Sequence, residues 1–229
     1  MSDLFNTPVG LGRDPHIIAA LSVPVNEGGE IDFEFFAQDL ERTAAYGIEP
    51  AVLMDTYQIN HCTQDQQTKG LEVTREVMNG RPFTAGVYIE DELNHGGVDE
   101  IIRAYRDKIE QLELQYGASP IVFQTEQLKN ADSVTVVRVY QELAEASQGG
   151  LKAFELSPVF APNGWMFPGD SLIEILAGDK WVGAKHSSLD PSVEWELLRR
   201  VNRIGKKLYT GNDYDFASMI FNGSDALLG

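Results

Sequence analysis

Eight short apolar runs, seven of them followed by a helix-like segment, predict an α/β chain folded as a (β/α)8 barrel. Right-handed crossovers between successive parallel strands would close such a pattern on itself. No linker divides residues 1–229, so a single domain is expected.

The elements follow in order. Residues 16–23 form an apolar run closed by Pro24, and Asn26-Glu27-Gly28-Gly29 is a turn without the Lys-Ser or Lys-Thr of a phosphate loop. From Asp32, a good N-cap, Phe33, Phe36, Ala37, Leu40 and Ala44 recur at helical spacing until Gly47. A second strand at 51–54 leads into a polar loop, 55–62, and Thr63-Gln64-Asp65-Gln66 has the form of a capping box. That helix runs to about Asn79 and stops at Gly80. Residues 83–89 are the third strand, and 99–116 a helix with Ile101, Ile102, Tyr105, Ile109 and Leu112 on one face.

A fourth strand at 120–123 precedes a helix capped by Asp132, and a fifth strand spans 151–156. The loop after it, 157–169, carries Pro158, Pro162 and Pro168, which suits a rigid lip over a site. Asp170 or Ser171 caps a short helix. The run 181–188 then ends abruptly in Lys185 and polar residues, and Asp190-Pro191 opens the next helix. A seventh strand, 208–210, ends in Gly211-Asn212-Asp213; a short helix follows over 214–221, and an eighth strand over 226–228. With no helix after it, one side of that strand is expected to be uncovered and the natural chain to continue beyond Gly229 with the missing C-terminal helices.

Charge narrows the partners. The formal charge of −17, from 18 basic and 35 acidic residues, repels nucleic acid and anionic lipid, which leaves a small molecule. The single cysteine, Cys62, permits no intrachain disulfide, and the first residues lack the charged and apolar regions of a signal peptide. A cytoplasmic protein is expected, and no apolar run reaches the length of a membrane span. His16, His61, His95 and His186 are scattered, without the spacing of a ligand set, so no metal is expected.

Lys185 is the residue to explain, because barrels place chemistry at the C-terminal ends of their strands. Two readings are open: a lysine that snorkels to water, or one held among apolar neighbours, where desolvation frees a neutral amine to attack a carbonyl. His186, its neighbour on the strand, could shuttle protons, but adjacent strand residues point to opposite faces, so it is expected to pack between sheet and helices. Asn212 and Asp213 also stand at a strand end, and Tyr57 and Trp165 line the mouth.

Val182-Gly183-Ala184-Lys185-His186-Ser187-Ser188-Leu189-Asp190 resembles the Schiff-base segment of the dihydrodipicolinate synthase and N-acetylneuraminate lyase superfamily. Four other stretches resemble it in the same order: 24–32, Ala85-Gly86-Val87, Gly211-Asn212-Asp213 and 222–229. The resemblance covers nearly the whole chain, and it implies a class I aldolase or lyase in which Lys185 forms an imine with a 2-oxo acid or related carbonyl compound. No cofactor is implied, and a homo-oligomer is.

The departures are informative. Where the family has a Gly-Thr-Thr-Gly-Glu motif that binds the substrate carboxylate, this chain has Met54-Asp55-Thr56-Tyr57-Gln58, and Asp55 would repel an acid group placed beside it. The family's catalytic tyrosine aligns with Glu155 of Glu155-Leu156-Ser157-Pro158, and its Pro-x-Tyr with Gln124-Thr125-Glu126. These changes point away from the standard synthase and lyase activities and toward carbinolamine chemistry on another carbonyl substrate. The roles implied are Lys185 as nucleophile, Glu155 as acid/base group and Thr56 as proton relay or substrate holder. Asp55, Tyr57, Ser187, Asn212 and Asp213 complete the expected site. The alternative is a catalytically silent barrel that binds a small metabolite as a sensor or structural subunit.

Overall fold

The computed structural model describes residues 15–89, 93, 97–160 and 164–229, so His95 and Pro162 lie outside the described residues. Its strands are β1 (His16–Ala20), β2 (Glu49–Val52), β3 (Thr84–Val87), β4 (Ser119–Val122), β5 (Leu151–Leu156), β6 (Trp181–Ser187), β7 (Lys207–Thr210) and β8 (Ala226–Leu228). All pair in parallel with their sequence neighbours, and β8 returns to β1, so the sheet is a closed barrel. The helices that follow the first seven strands are α1 (Phe33–Ala45), α2 (Gln64–Met78), α3 (Val98–Gln111), α4 (Ser133–Leu143), α5 (Ser171–Leu176), α6 (Pro191–Arg203) and α7 (Phe216–Phe221).

Local chemistry sets the boundaries. Asp32, Asp132 and Asp190 accept from backbone amides at the starts of α1, α4 and α6, satisfying donors that have no partner inside the helix. The Thr63–Gln66 capping box is complete at the start of α2. Gly47 and Gly80 take the left-handed conformation expected after helices. Several boundaries differ from expectation: β2 is Glu49–Val52 and not 51–54, β3 is Thr84–Val87 and not 83–89, and two further differences have a local cause. β1 ends at Ala20, because the chain turns out toward the loop that the Asn26 side chain ties by accepting from Gly28 and Glu30. The expected helix over 99–116 ends its α-helical part at Gln111 and finishes in a wider π-helical turn, Leu112–Tyr116.

Register defines what fills the barrel, since paired residues on parallel neighbours share a face. The pairs Ile18↔Glu49, Ala51↔Thr84, Thr84↔Ser119, Ile121↔Lys152, Phe154↔Lys185, Lys185↔Tyr209 and Tyr209↔Ala226 follow one face around the closed sheet. At the N-terminal end this interior is polar. Lys152 donates to Thr84 (3.2 Å) and Ser119 (2.6 Å), and Glu49 accepts from Thr84 and lies 3.0 Å from His16. The outer face packs against the helices, except near β1 and β8, where Ile17 is 44% exposed.

One irregularity decides which face Lys185 takes. Leu151 pairs with Trp181, but Lys152 pairs with Gly183, so Val182 is an extra residue on β6. Trp181 packs outward against Tyr140 of α4, with ring centroids 5.6 Å apart. Simple alternation would send Lys185 the same way as Trp181; the bulge reverses it and places Lys185 beside Phe154.

The upper barrel depends on one close approach. Leu53 adopts a left-handed backbone, φ 54°, and a Cβ built on Gly86 would stand 2.0 Å from the Leu53 carbonyl oxygen. Gly86→Ala is therefore expected to cost about 1–3 kcal/mol, the scale of overpacking in a dense interior. Denaturant unfolding checks this, and an unchanged midpoint would contradict it.

Candidate active site

Lys185 reaches the C-terminal mouth from the barrel wall and is 4% exposed. Its ammonium lies 4.5 Å from the centre of the Phe154 ring and 3.8 Å from Asp55 Oδ1. Desolvation holds its pKa below the ordinary 10.5, against the opposing pull of the Asp55 and Asp213 carboxylates. The snorkelling reading therefore fails: the nitrogen stays inside.

Glycine makes room for it. A Cβ on Gly211 would come within 2.1 Å of Ser187 Oγ and 2.8 Å of Lys185 Cε, so the first residue of Gly211-Asn212-Asp213 is small because two side chains of β6 occupy that space. Ser187 is buried beside the lysine. Asp213 is exposed, and a Cβ on Gly229 at the end of β8 would touch its carboxylate. Asp55 stands in the turn after β2. Its Oδ1 is buried, and among the described residues it has no hydrogen-bond partner.

Lys185, Asp55, Asp213 and Ser187 thus come together as expected of one site. The other expected residues do not. Glu155 is in register with His186 and so faces the helices, the opposite side from Phe154 and Lys185. Its Oε1 accepts from the Phe167 amide at 2.7 Å and its Oε2 lies 2.6 Å from His186 Nδ1. It cannot carry a proton for Lys185 across the sheet. His186 lies between sheet and helices as expected; its Nε2 is 2.9 Å from Ser188 Oγ.

Asn212 is also turned outward, donating to Glu194 of α6 at 3.3 Å and accepting from the Tyr214 amide. Burial raises the Glu194 carboxyl pKa, with the nearby imidazole of His186 acting against it. Tyr57 is fully buried under α1 and α2. Its ring meets Phe36 edge-on at 5.5 Å, and its hydroxyl lies where a Cβ of Gly70 would otherwise point. It anchors the loop and does not line the mouth. Thr56 is exposed at the rim, its hydroxyl directed to the Leu21 carbonyl at 3.4 Å. Trp165 is buried as well, donating to the Thr125 carbonyl at 3.1 Å, so it tethers the loop after β5 to the end of β4.

The loop after β2 carries no glycine. Leu53 and Gln58 take the left-handed conformations, while Met54 and Tyr57 fill the core. The amides of Tyr57, Gln58 and Ile59 are used within the loop, donating to the carbonyls of Met54, Asp55 and Met54. Phe154 was missed in the sequence; asking which β5 residue shares a face with Lys185 would have found it, but only with the register known. Among the described residues, no group of three His, Cys, Asp or Glu side chains is placed to hold a metal ion, and no helix is long and apolar enough to cross a membrane.

Comparison with known proteins fits this geometry. No curated protein matches the chain in sequence. Among solved structures, dihydrodipicolinate synthase from Acinetobacter baumannii, determined as a pyruvate complex, superposes with a TM-score of 0.75 at 16% identity, covering 94% of this chain and 69% of that one. The Thermotoga maritima dihydrodipicolinate synthase gives 0.73 at 17% identity, covering 94% and 70%. N-acetylneuraminate lyase from Mycoplasma synoviae gives 0.69 at 14% identity, covering 94% and 68%. The chain thus has the barrel fold of these enzymes. The model of the family described as "Protein of unknown function (DUF993)" matches residues 15–229, and the chain belongs to that family.

Proposed function

We propose that this barrel is a class I lyase or aldolase in which Lys185 forms an imine with a small carbonyl substrate. The observation that carries the proposal is a desolvated lysine amine at the C-terminal mouth, 3.8 Å from a carboxylate oxygen with no other partner among the described residues. Barrels of this kind carry out their chemistry at that face. The shared barrel fold would not by itself specify the reaction; the placement of Lys185 supports it.

The steps balance without a cofactor. The neutral Nζ adds to the carbonyl carbon, Asp55 carries one proton from the nitrogen to the carbinolamine oxygen, and a second proton, taken up from solvent through Asp55, lets that oxygen leave as water from a cationic imine. The cationic imine then draws the electrons of the adjacent carbon–carbon bond into an enamine. A hydroxyl one carbon further on loses its proton as the second carbonyl fragment departs. Asp55 replaces Glu155 in the proton-carrying role because it is the carboxylate on the lysine's side of the sheet. Phe154 covers the amine and keeps the site dry enough for the free base to persist.

Lys185→Arg should abolish covalent trapping with cyanoborohydride, because a guanidinium stays protonated; an undiminished adduct would end the proposal. Asp55→Asn separates two effects. The carboxylate raises the lysine pKa, so its loss should move the alkaline rise of trapping rate to lower pH. It should also slow imine formation at the plateau by about a hundredfold, the scale of losing a general acid/base. A shifted profile with an unchanged plateau would remove Asp55 from proton transfer.

The site should also cost stability. Lys185→Met keeps the volume and removes a buried charge with one imperfect ion pair, so it should stabilise the fold by about 1 kcal/mol or more. The excess should grow as pH falls, because the buried lysine, with its lowered pKa, resists taking up the proton that the unfolded chain accepts. Calorimetry across pH checks both points; a lower melting temperature for Lys185→Met would mean that the lysine stabilises the fold.

A further inference from the structure

We infer that the substrate of the Lys185 site is an uncharged, hydroxyl-bearing carbonyl compound and not a 2-oxo acid; this inference rests on the imine reading above. A carboxylate next to the reacting carbon would enter a mouth that is already acidic. Lys185 already faces two carboxylates, Asp55 with an oxygen 3.8 Å from Nζ and Asp213 close enough to pull on its proton. Once the lysine becomes a cationic imine, its single positive charge would face three negative groups in the same mouth. Like charges at about 4 Å oppose each other by roughly 4 kcal/mol at the screening typical near a protein surface, which corresponds to a preference of several hundredfold.

Backbone geometry points the same way. A carboxylate entering this mouth must exchange its water for hydrogen-bond donors. In the loop after β2, the amides of Tyr57, Gln58 and Ile59 are turned to the carbonyls of Met54 and Asp55, which leaves, of residues 55–59, only those of Asp55 and Thr56, beside the Asp55 carboxylate itself. The side chains offered instead are acceptors or hydroxyls: Asp55 Oδ1, buried and without a partner among the described residues, the Asp213 carboxylate, and the buried Ser187 beside Lys185. Such a set matches donors on the ligand. A hydroxyl on the carbon next to the carbonyl supplies one to Asp55 or Asp213 and leaves the total charge unchanged. The Schiff-base step is the one written above: Nζ–C forms, and the carbonyl oxygen departs as water with one proton carried from the nitrogen by Asp55 and one taken from solvent.

The test compares two ketones of similar size, dihydroxyacetone and pyruvate, each incubated with the full chain and cyanoborohydride, with adducts located by peptide mass mapping. Dihydroxyacetone should label Lys185 at least tenfold faster than pyruvate, and the label at Lys185 should be absent in Lys185→Arg. Asp213→Asn, which alters an exposed side chain and leaves its size unchanged, should narrow the ratio by admitting pyruvate faster. Pyruvate labelling Lys185 as fast as dihydroxyacetone or faster would overturn the substrate class while leaving the imine reading intact. Labelling of Lys185 by neither ketone would remove the imine reading and this inference with it.

Discussion

The site depends on a single extra residue in one strand. Val182 bulges out of β6, and the residues beyond it exchange faces, so that Lys185 enters the barrel and His186 enters the helix layer. From that exchange follow two separate polar systems. Inside, the lysine meets Phe154, Asp55 and Asp213; outside, Glu155 and His186 pair beneath the loop that carries Phe167, and Glu194 holds Asn212. The outer system fixes the ends of β5, β6 and β7 from behind, which is a positioning task. Its members stand on the other side of the sheet from Lys185.

Energetically the inner system is unfavourable by construction. A lysine that loses most of its water gains only a 3.8 Å ion pair and one ring face in return. Burial lowers its affinity for a proton, while the two carboxylates restore part of it. A structural lysine in this barrel looks different: Lys152, also buried with its pKa lowered, is bonded to the hydroxyls of Thr84 and Ser119. Two lysines in one interior thus differ in their surroundings. One is satisfied by hydroxyl neighbours; the other has the 3.8 Å ion pair and the ring face, and a carbonyl partner is proposed for it.

Much of this was legible in the sequence. The barrel could be read from eight apolar runs and their helix signals, and the caps at Asp32, Thr63, Asp132 and Asp190 stand where they were expected. Lys185, Asp55, Asp213 and Ser187 lie together, because residues at strand ends converge in a barrel whatever the details of pairing. Glu155, Tyr57 and Asn212 were misplaced for one reason. Each was assigned by its position in a motif, and a one-residue difference in a strand or turn reverses the face on which a side chain stands. In Tyr57 the hydrophobic effect decided the outcome, since a large ring in a loop crossing two helices gains more by packing on Phe36 than by facing water.

The central claim is that the barrel stores Lys185 as a readily freed amine. Its most direct measurement is an NMR titration of the lysine side-chain resonances, with Lys185 assigned by comparison with Lys185→Arg. The account predicts a midpoint below the 10.5 of a solvated lysine, moving lower still in Asp55→Asn. A midpoint at or above 10.5 would show that the carboxylates outweigh desolvation, and that the site holds an ammonium ion instead of a nucleophile.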